Sequence, residues 1–138
     1  MEDIDRISGD VVDLAIRLHR ELGPGLLETV YETVLAAKLV AAGYDVARQH
    51  PVSIDFDATH FENAFRIDLL VASRLIVEIK SVEHLSKVHA KQVLTYLRLT
   101  KRPVGLLINF GGETLKEGIR RLVNNHYPSV SSAPLREK

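Results

Sequence analysis

The stretch Arg66-Ile67-Asp68-Leu69-Leu70-Val71-Ala72-Ser73-Arg74-Leu75-Ile76-Val77-Glu78-Ile79-Lys80 decides how this chain folds. Its odd positions Ile67, Leu69, Val71, Leu75, Val77 and Ile79 are apolar. Its even positions carry Arg66, Asp68, Arg74, Glu78 and Lys80, with Leu70 and Ile76 among them. A period of two is the pattern of strands. Ala72-Ser73-Arg74 is the only break, so the spacing predicts a hairpin. Both strands put their apolar residues at odd numbers, so facing residues sum to an even number. That requires an odd loop, most simply Ala72–Arg74. The register sets Asp68 opposite Glu78 and Arg66 opposite Lys80, all on one face. Two carboxylates held about 5 Å apart at their Cβ atoms repel each other, and a divalent cation would offset the repulsion. An ordinary amphipathic hairpin with a charged, solvated outer face carries the same pattern. Leu70 and Ile76 weigh against that alternative. They share the face of the carboxylates and predict a sheet covered on both sides, as in α/β folds.

With 138 residues the chain is long enough for one domain with a core. A single domain is expected over residues 1–125. Residues 126–138, with Pro128, Pro134 and several serines, are expected to form a flexible tail. There is no cysteine, which excludes disulfides and thiolate chemistry. No apolar run is long enough to span a bilayer and the acidic N-terminus is unlike a signal peptide, so a cytoplasmic protein is expected. The net charge of zero hides an asymmetry. Residues 1–45 hold four Lys/Arg and nine Asp/Glu, and residues 91–138 hold nine and three. A basic C-terminal third could meet phosphates while an acidic centre holds metal, although such asymmetry is also common without consequence.

Outward from the hairpin, Ile4, Ile7, Val11, Leu14, Leu18 and Leu22 follow helical spacing over residues 4–22, ended by Gly23-Pro24-Gly25. His19 beside that stripe reads as a surface histidine. A second helix is predicted over residues 26–42, closed by Gly43. Glu28, Tyr31, Leu35 and Leu39 share one of its stripes, so Glu28 is either partly buried with a partner or a rim residue with its head in water. Residues 44–57 suggest one strand, or two short ones around Pro51, and a turn at Asp57–His60. A helix capped by Ser86 is predicted over residues 86–100, with His89, Gln92 and Tyr96 on a stripe beside its core face. Val104–Phe110 reads as a fully buried strand parallel to Leu75–Lys80. A last helix is predicted over residues 113–125, with Leu115, Ile119, Leu122 and Val123 inward. Its Lys116, Arg120 and Arg121 form either a phosphate face or a solvated one.

The element order predicts a mixed sheet with helices on both faces. Hard carboxylates without His or Cys partners suit Mg2+ or Mn2+ and not zinc. Magnesium held by few carboxylates keeps waters and commonly also binds phosphate oxygens. A neighbouring lysine can hold the attacking water or stabilise charge on the phosphate. The chemistry implied is metal-assisted hydrolysis of a phosphodiester.

Asp68 followed by Glu78-Ile79-Lys80 resembles the Asp…(Asp/Glu)-x-Lys signature of the PD-(D/E)xK nuclease superfamily, built on an αβββαβ core. Ile67 stands where a proline often precedes the aspartate. Gln92-Val-Leu-Thr-Tyr96 is similar to the Gln-x-x-x-Tyr element of the RecB-like branch. Gly25-x-x-Glu28-x-x-Tyr31 resembles the motif that names the GxxExxY family, a bacterial branch of the superfamily. The resemblance runs over about residues 4–125. It implies an α/β, restriction-endonuclease-like fold with an extra N-terminal helix and a C-terminal helix. It also implies a metal site of Glu28, Asp68, Glu78 and the Ile79 carbonyl, with Lys80 catalytic. Gln92 and Tyr96 would orient the lysine or contact the nucleic-acid backbone, and Tyr31, His89, Lys116, Arg120 and Arg121 are the further nucleic-acid contacts expected. The function implied is a Mg2+-dependent nuclease acting on DNA. The alternative is a catalytically silent nucleic-acid-binding or assembly module on the same fold. A homodimer is plausible, since the chain has little surface to enclose DNA alone.

Overall fold

The computed structural model describes residues 3–124. The expected tail lies outside them. Helix α1 (Ile4–Leu22) starts at Asp3, whose side chain accepts from Asp5 N at 3.1 Å, and stops at Gly23, where φ is 78°. It buries Ile4, Ile7, Val11, Ala15 and Leu18 along one stripe. His19 is buried too, contrary to the expected surface position. Its Nε2 donates to Gly112 O at 3.1 Å, so it ties α1 to a loop 93 residues further on. Helix α2 spans Glu28–Ala41.

Strands β1 (Val46–Phe56) and β2 (Thr59–Val71) form a long antiparallel hairpin. Its tight turn is made by Asp57 and Ala58, both left-handed at φ 50° and 65°. Pro51 does not divide β1. The strand lies at the sheet edge, where a missing N–H is tolerated. Strand β3 (Leu75–Lys80) pairs antiparallel with β2 through Leu69↔Val77, Leu70↔Ile76 and Val71↔Leu75, the register predicted from parity, across the loop Ala72–Arg74. Helix α3 (Lys87–Thr100) crosses to β4 (Val104–Asn109), which is parallel to β3 and buried throughout.

The last helix predicted over residues 113–125 is not there. Lys116–Gly118 make one 3-10 turn, and Ile119–Val123 form β5, antiparallel to β4. The spacing of Leu115, Ile119 and Leu122 does fit a helix. The other edge of β4 decides otherwise, because a strand buried on both faces needs partners for its main-chain groups and β5 supplies them. Gly118 permits the close approach, since a Cβ there would stand 2.6 Å from Asn109 O. The result is a mixed five-stranded sheet in the order β1-β2-β3-β4-β5. Helices α1 and α2 cover one face, over Leu69, Val71, Val77, Ile79, Leu106 and Ile108. Helix α3 covers the other with Val93 and Leu97, over Ile67, Leu70, Ile76 and Leu107. Leu70 and Ile76 are thus covered, as their position in the sequence predicts.

Candidate active site

The β2–β3 ladder stops at Leu69↔Val77, and the next pair in the same register is Asp68 and Glu78. There the main chains part and the side chains take over. Asp68 N donates to Glu78 Oε2 at 2.8 Å, and Ile79 N donates to Asp68 Oδ2 at 2.8 Å. Main-chain N–H groups just beyond the ladder are thus satisfied by carboxyl groups of the partner strand. In a strand the N–H and C=O of one residue lie on the same side, so the Ile79 carbonyl points into the same gap.

The alternation of β2 resets here, and that of β1 with it, while β3 keeps Leu75, Val77 and Ile79 on one side. Leu69 and Val71 pack beneath α1 and α2, whereas Ile67 packs with Leu70 beneath α3. The expectation that Ile67 and Leu69 share a side is therefore corrected. Across the β1–β2 ladder, Arg48 pairs with Leu69 and His50 with Ile67, which leaves Gln49 opposite Asp68. Gln49 is left-handed, with φ at 49°. The two carboxyl groups reach across the gap between β2 and β3, each to a main-chain N–H of the other's strand.

Glu78 is 4% exposed. Burial first, and the charge of Asp68 second, push its carboxyl up to about 8; the Asp68 N–H and Lys80 pull the other way, and Glu32 adds a smaller upward push. Tyr96 lies within the field of the same pair. Its hydroxyl is raised by burial and then by the charges of Glu78 and Asp68, and its ring stacks on Phe65 with centroids 4.0 Å apart. Lys80 follows on β3, half-buried, paired with Asn109 of β4. Gln92 is exposed one turn before Tyr96.

The acid of α2 that joins this cluster is Glu32, which the sequence reading passed over. It is 5% exposed, with Oε2 accepting from Arg48 Nε at 3.1 Å and Oε1 from Gln49 Nε2 at 2.7 Å. Gln49 Nε2 also donates to Asp68 Oδ1 at 3.2 Å. Glu28 is exposed and lines a cleft with Gly25, Thr29, Ser81 and Gly111. The two glutamates are one turn apart on one helix face, and that i, i+4 spacing is the signal that could have found Glu32. Asn109 was missed as well. Buried at the end of β4, its side chain binds Val82 N and Val82 O, each at 2.9 Å, and Gly111 N at 3.0 Å, fixing the chain that follows Lys80.

Other expected contacts are not brought to the site. Tyr31 is wholly buried, stacked on Phe110 with centroids 4.4 Å apart. Its hydroxyl donates to Gly23 O at 2.6 Å and accepts from Leu26 N at 3.1 Å. It holds the turn between α1 and α2 and has no surface left for a nucleic acid. His89 Nδ1 accepts from Ser86 N at 3.1 Å, a helix-capping role. Arg120 and Arg121 are neighbours on a strand and point to opposite sides. Arg121 pairs with Asp5 of α1, while Arg120 Nη1 donates to Glu117 O and Ile119 O at 2.8 and 3.0 Å. With Lys116 exposed in the turn before them, the three do not form one basic face.

A divalent cation suits this donor set. Among the described residues no three His, Cys, Asp or Glu side chains are gathered as a metal cage. Two carboxylates and a carbonyl, completed by water, are a set that magnesium accepts. The buried Glu78, held high by its surroundings, is where a cation would relieve the most repulsion.

Residues 5–122 match the family model of the PD-(D/E)XK nuclease superfamily. The chain belongs to this superfamily. No curated protein and no solved structure matches it. Nucleases of the PD-(D/E)XK superfamily act on nucleic acid, typically with divalent metal. No described helix is long and apolar enough to cross a membrane.

Proposed function

We propose that this chain is a Mg2+- or Mn2+-dependent nuclease that hydrolyses phosphodiester bonds of DNA, in the GxxExxY branch of its superfamily. The reading rests on one observation above all. Asp68 and Glu78 interrupt a sheet to face one gap, with Glu78 buried and its carboxyl pushed up to about 8. Asp68, Glu78 and the Ile79 carbonyl would hold the cation, whose chemistry there would be to polarise the phosphate and lower the pKa of water. Lys80, next on the strand, orients the attacking water or neutralises charge growing on the phosphate oxygens. Tyr96 and Gln92 flank the site from α3 and contact the backbone of the nucleic acid. Glu32 is the α2 acid of the site in place of Glu28, and the Arg48 guanidinium on its Oε2 offsets its charge, so it acts from outside the ligand set. The same reading keeps the protein in the cytoplasm and accommodates a homodimer.

The test is cleavage of single-stranded, duplex and branched DNA and of RNA by the wild type and Asp68→Ala, purified identically, with Mg2+, Mn2+ or EDTA. Metal-dependent cutting of DNA by the wild type alone is expected. Equal cutting by both proteins would assign the activity to a contaminant. No cutting by either, with no stabilisation by metal, would leave a catalytically silent binding module.

A further inference from the structure

The Gln49 side chain stands between two acids. One nitrogen, Nε2, donates to Glu32 Oε1 at 2.7 Å and to Asp68 Oδ1 at 3.2 Å. An amide nitrogen carries two protons, so both are spent, one on each carboxylate. Only a side-chain amide offers two protons on one neutral nitrogen, and glutamine is the longer of the two amide residues. A lysine or arginine would add charge, a glutamate would add a third anion, and a hydroxyl has one proton to give. Glu32 is itself anchored, since Arg48 Nε holds its other oxygen at 3.1 Å and Arg48 Nη2 reaches Thr33 Oγ1 at 2.8 Å. The line Arg48–Glu32–Gln49–Asp68 therefore runs from helix α2 through the edge strand to the carboxylate whose other oxygen accepts from Ile79 N at 2.8 Å.

The backbone points to the same place. Gln49 lies opposite Asp68 in the β1–β2 register and has a left-handed φ of 49°. A long side chain is disfavoured in that conformation, and a strand position that served only to bend the chain would favour glycine. From these observations, and resting on the metal-site reading above, we infer that Gln49 is a positioning residue: its amide, braced by Glu32 and Arg48, fixes the rotation of the Asp68 carboxylate so that it meets Ile79 N on one side and the cation on the other. It also holds Glu32 apart from the cation as a neutralised neighbour.

Two variants separate this role from a bend in the strand. Gln49→Gly suits the backbone and removes the amide. Gln49→Met keeps the length and removes both donors. Two readouts are taken on the full chain. The first is amide hydrogen exchange of Ile79 in EDTA, with Leu69 and Val77 as internal controls. The second is Mn2+ affinity by electron paramagnetic resonance titration. Both variants are expected to speed Ile79 exchange by about tenfold or more over the controls, and to weaken Mn2+ binding roughly 10–100-fold, the usual effect of losing an outer partner of a ligand. Ile79 protection within twofold of wild type in both variants overturns the inference, whatever the metal does. Faster Ile79 exchange with wild-type Mn2+ affinity overturns the role toward the cation. A wild type that binds no Mn2+ overturns the metal reading under Proposed function, and the positioning of Asp68 is then decided by the Ile79 exchange alone.

Discussion

Asp68 and Glu78 hold each other's strand: the main-chain N–H of Asp68 goes to Glu78 Oε2, and Asp68 Oδ2 takes the N–H of Ile79, both at 2.8 Å. Two carboxyl groups thus close the end of the β2–β3 ladder. Burial and the charge of Asp68 keep the proton on Glu78 up to about pH 8, and repulsion appears only when that proton is lost. With the proposed metal site, stability, pH dependence and metal binding would be coupled through this one pair.

Without metal, the protein should lose stability as pH rises. The folded-state Glu78 carboxyl, at about 8, lies above its ordinary value of 4.5, so the folded state binds the proton more tightly. The stabilisation is fully present below 4.5 and is lost progressively as pH rises through about 8. His60, whose imidazole is raised by hydrogen bonds to Glu62 and Asp55, acts in the same direction. Glu78→Gln should flatten the dependence and be the more stable protein at pH 9, by about 5 kcal/mol at most. Urea denaturation in EDTA at pH 5, 7 and 9 reads this directly, and parallel curves for the two proteins would contradict it.

Divalent metal should raise Tm, and should do so more strongly at alkaline pH. A cation that binds only the folded state adds about 2.7 kcal/mol at a hundred times Kd. Because the cation must displace the Glu78 proton, its apparent affinity should rise about tenfold per pH unit and level off near 8. Isothermal titration with Mn2+ between pH 6 and 9 checks the slope. Asp68→Ala should show neither the shift in Tm nor the slope.

Lys80→Ala should bind Mn2+ much as the wild type does and still lose about 10²–10³ in cleavage rate, the cost of one electrostatic stabiliser. Single-turnover cleavage beside a metal titration separates the two effects. Loss of metal binding in this variant would move Lys80 from the chemistry to the upkeep of the acidic pair.

Gly111→Ala should destabilise the fold by about 3 kcal/mol and disturb the chain after Lys80. An added Cβ would stand 2.3 Å from Val82 O and 2.5 Å from Val82 N, both main-chain atoms with little freedom to yield. Thermal denaturation measures the loss, and a melting point equal to that of the wild type would refute it.

Arg120→Ala and Arg121→Ala should differ in nucleic-acid binding. On β5, Arg120 pairs with Leu107, which lies under α3, and Arg121 pairs with Leu106 on the α1 side, beside Asp5. Only Arg120 shares the face of Tyr96. Its loss should flatten the salt dependence of DNA binding by roughly one unit of slope, and the loss of Arg121 should leave the slope unchanged. Fluorescence anisotropy over a salt series in EDTA distinguishes them.

The local pattern of the sequence was enough for the hairpin, its register and a sheet covered on both faces. Period-two alternation and an odd loop leave one pairing of Leu69–Val71 with Leu75–Val77, because a slip of one residue would carry every side chain to the opposite face. It was also enough for the resemblance to the superfamily, whose family model matches residues 5–122. Tertiary structure decided what a single stretch cannot contain. Ile119–Val123 is a strand because β4 needed a second partner, which outweighs a spacing that also fits a helix. Ile67 changes sides because Gln49 and Asp68 reset two strands together, and the left-handed φ of a glutamine has no sequence signal. Tyr31 is a buried brace because Phe110, far along the chain, supplies the surface it stacks on. Glu32 and not Glu28 enters the acidic cluster for the same kind of reason. The helix presents both, and only the turn of α2 over the edge strand determines which one meets Arg48 and Gln49.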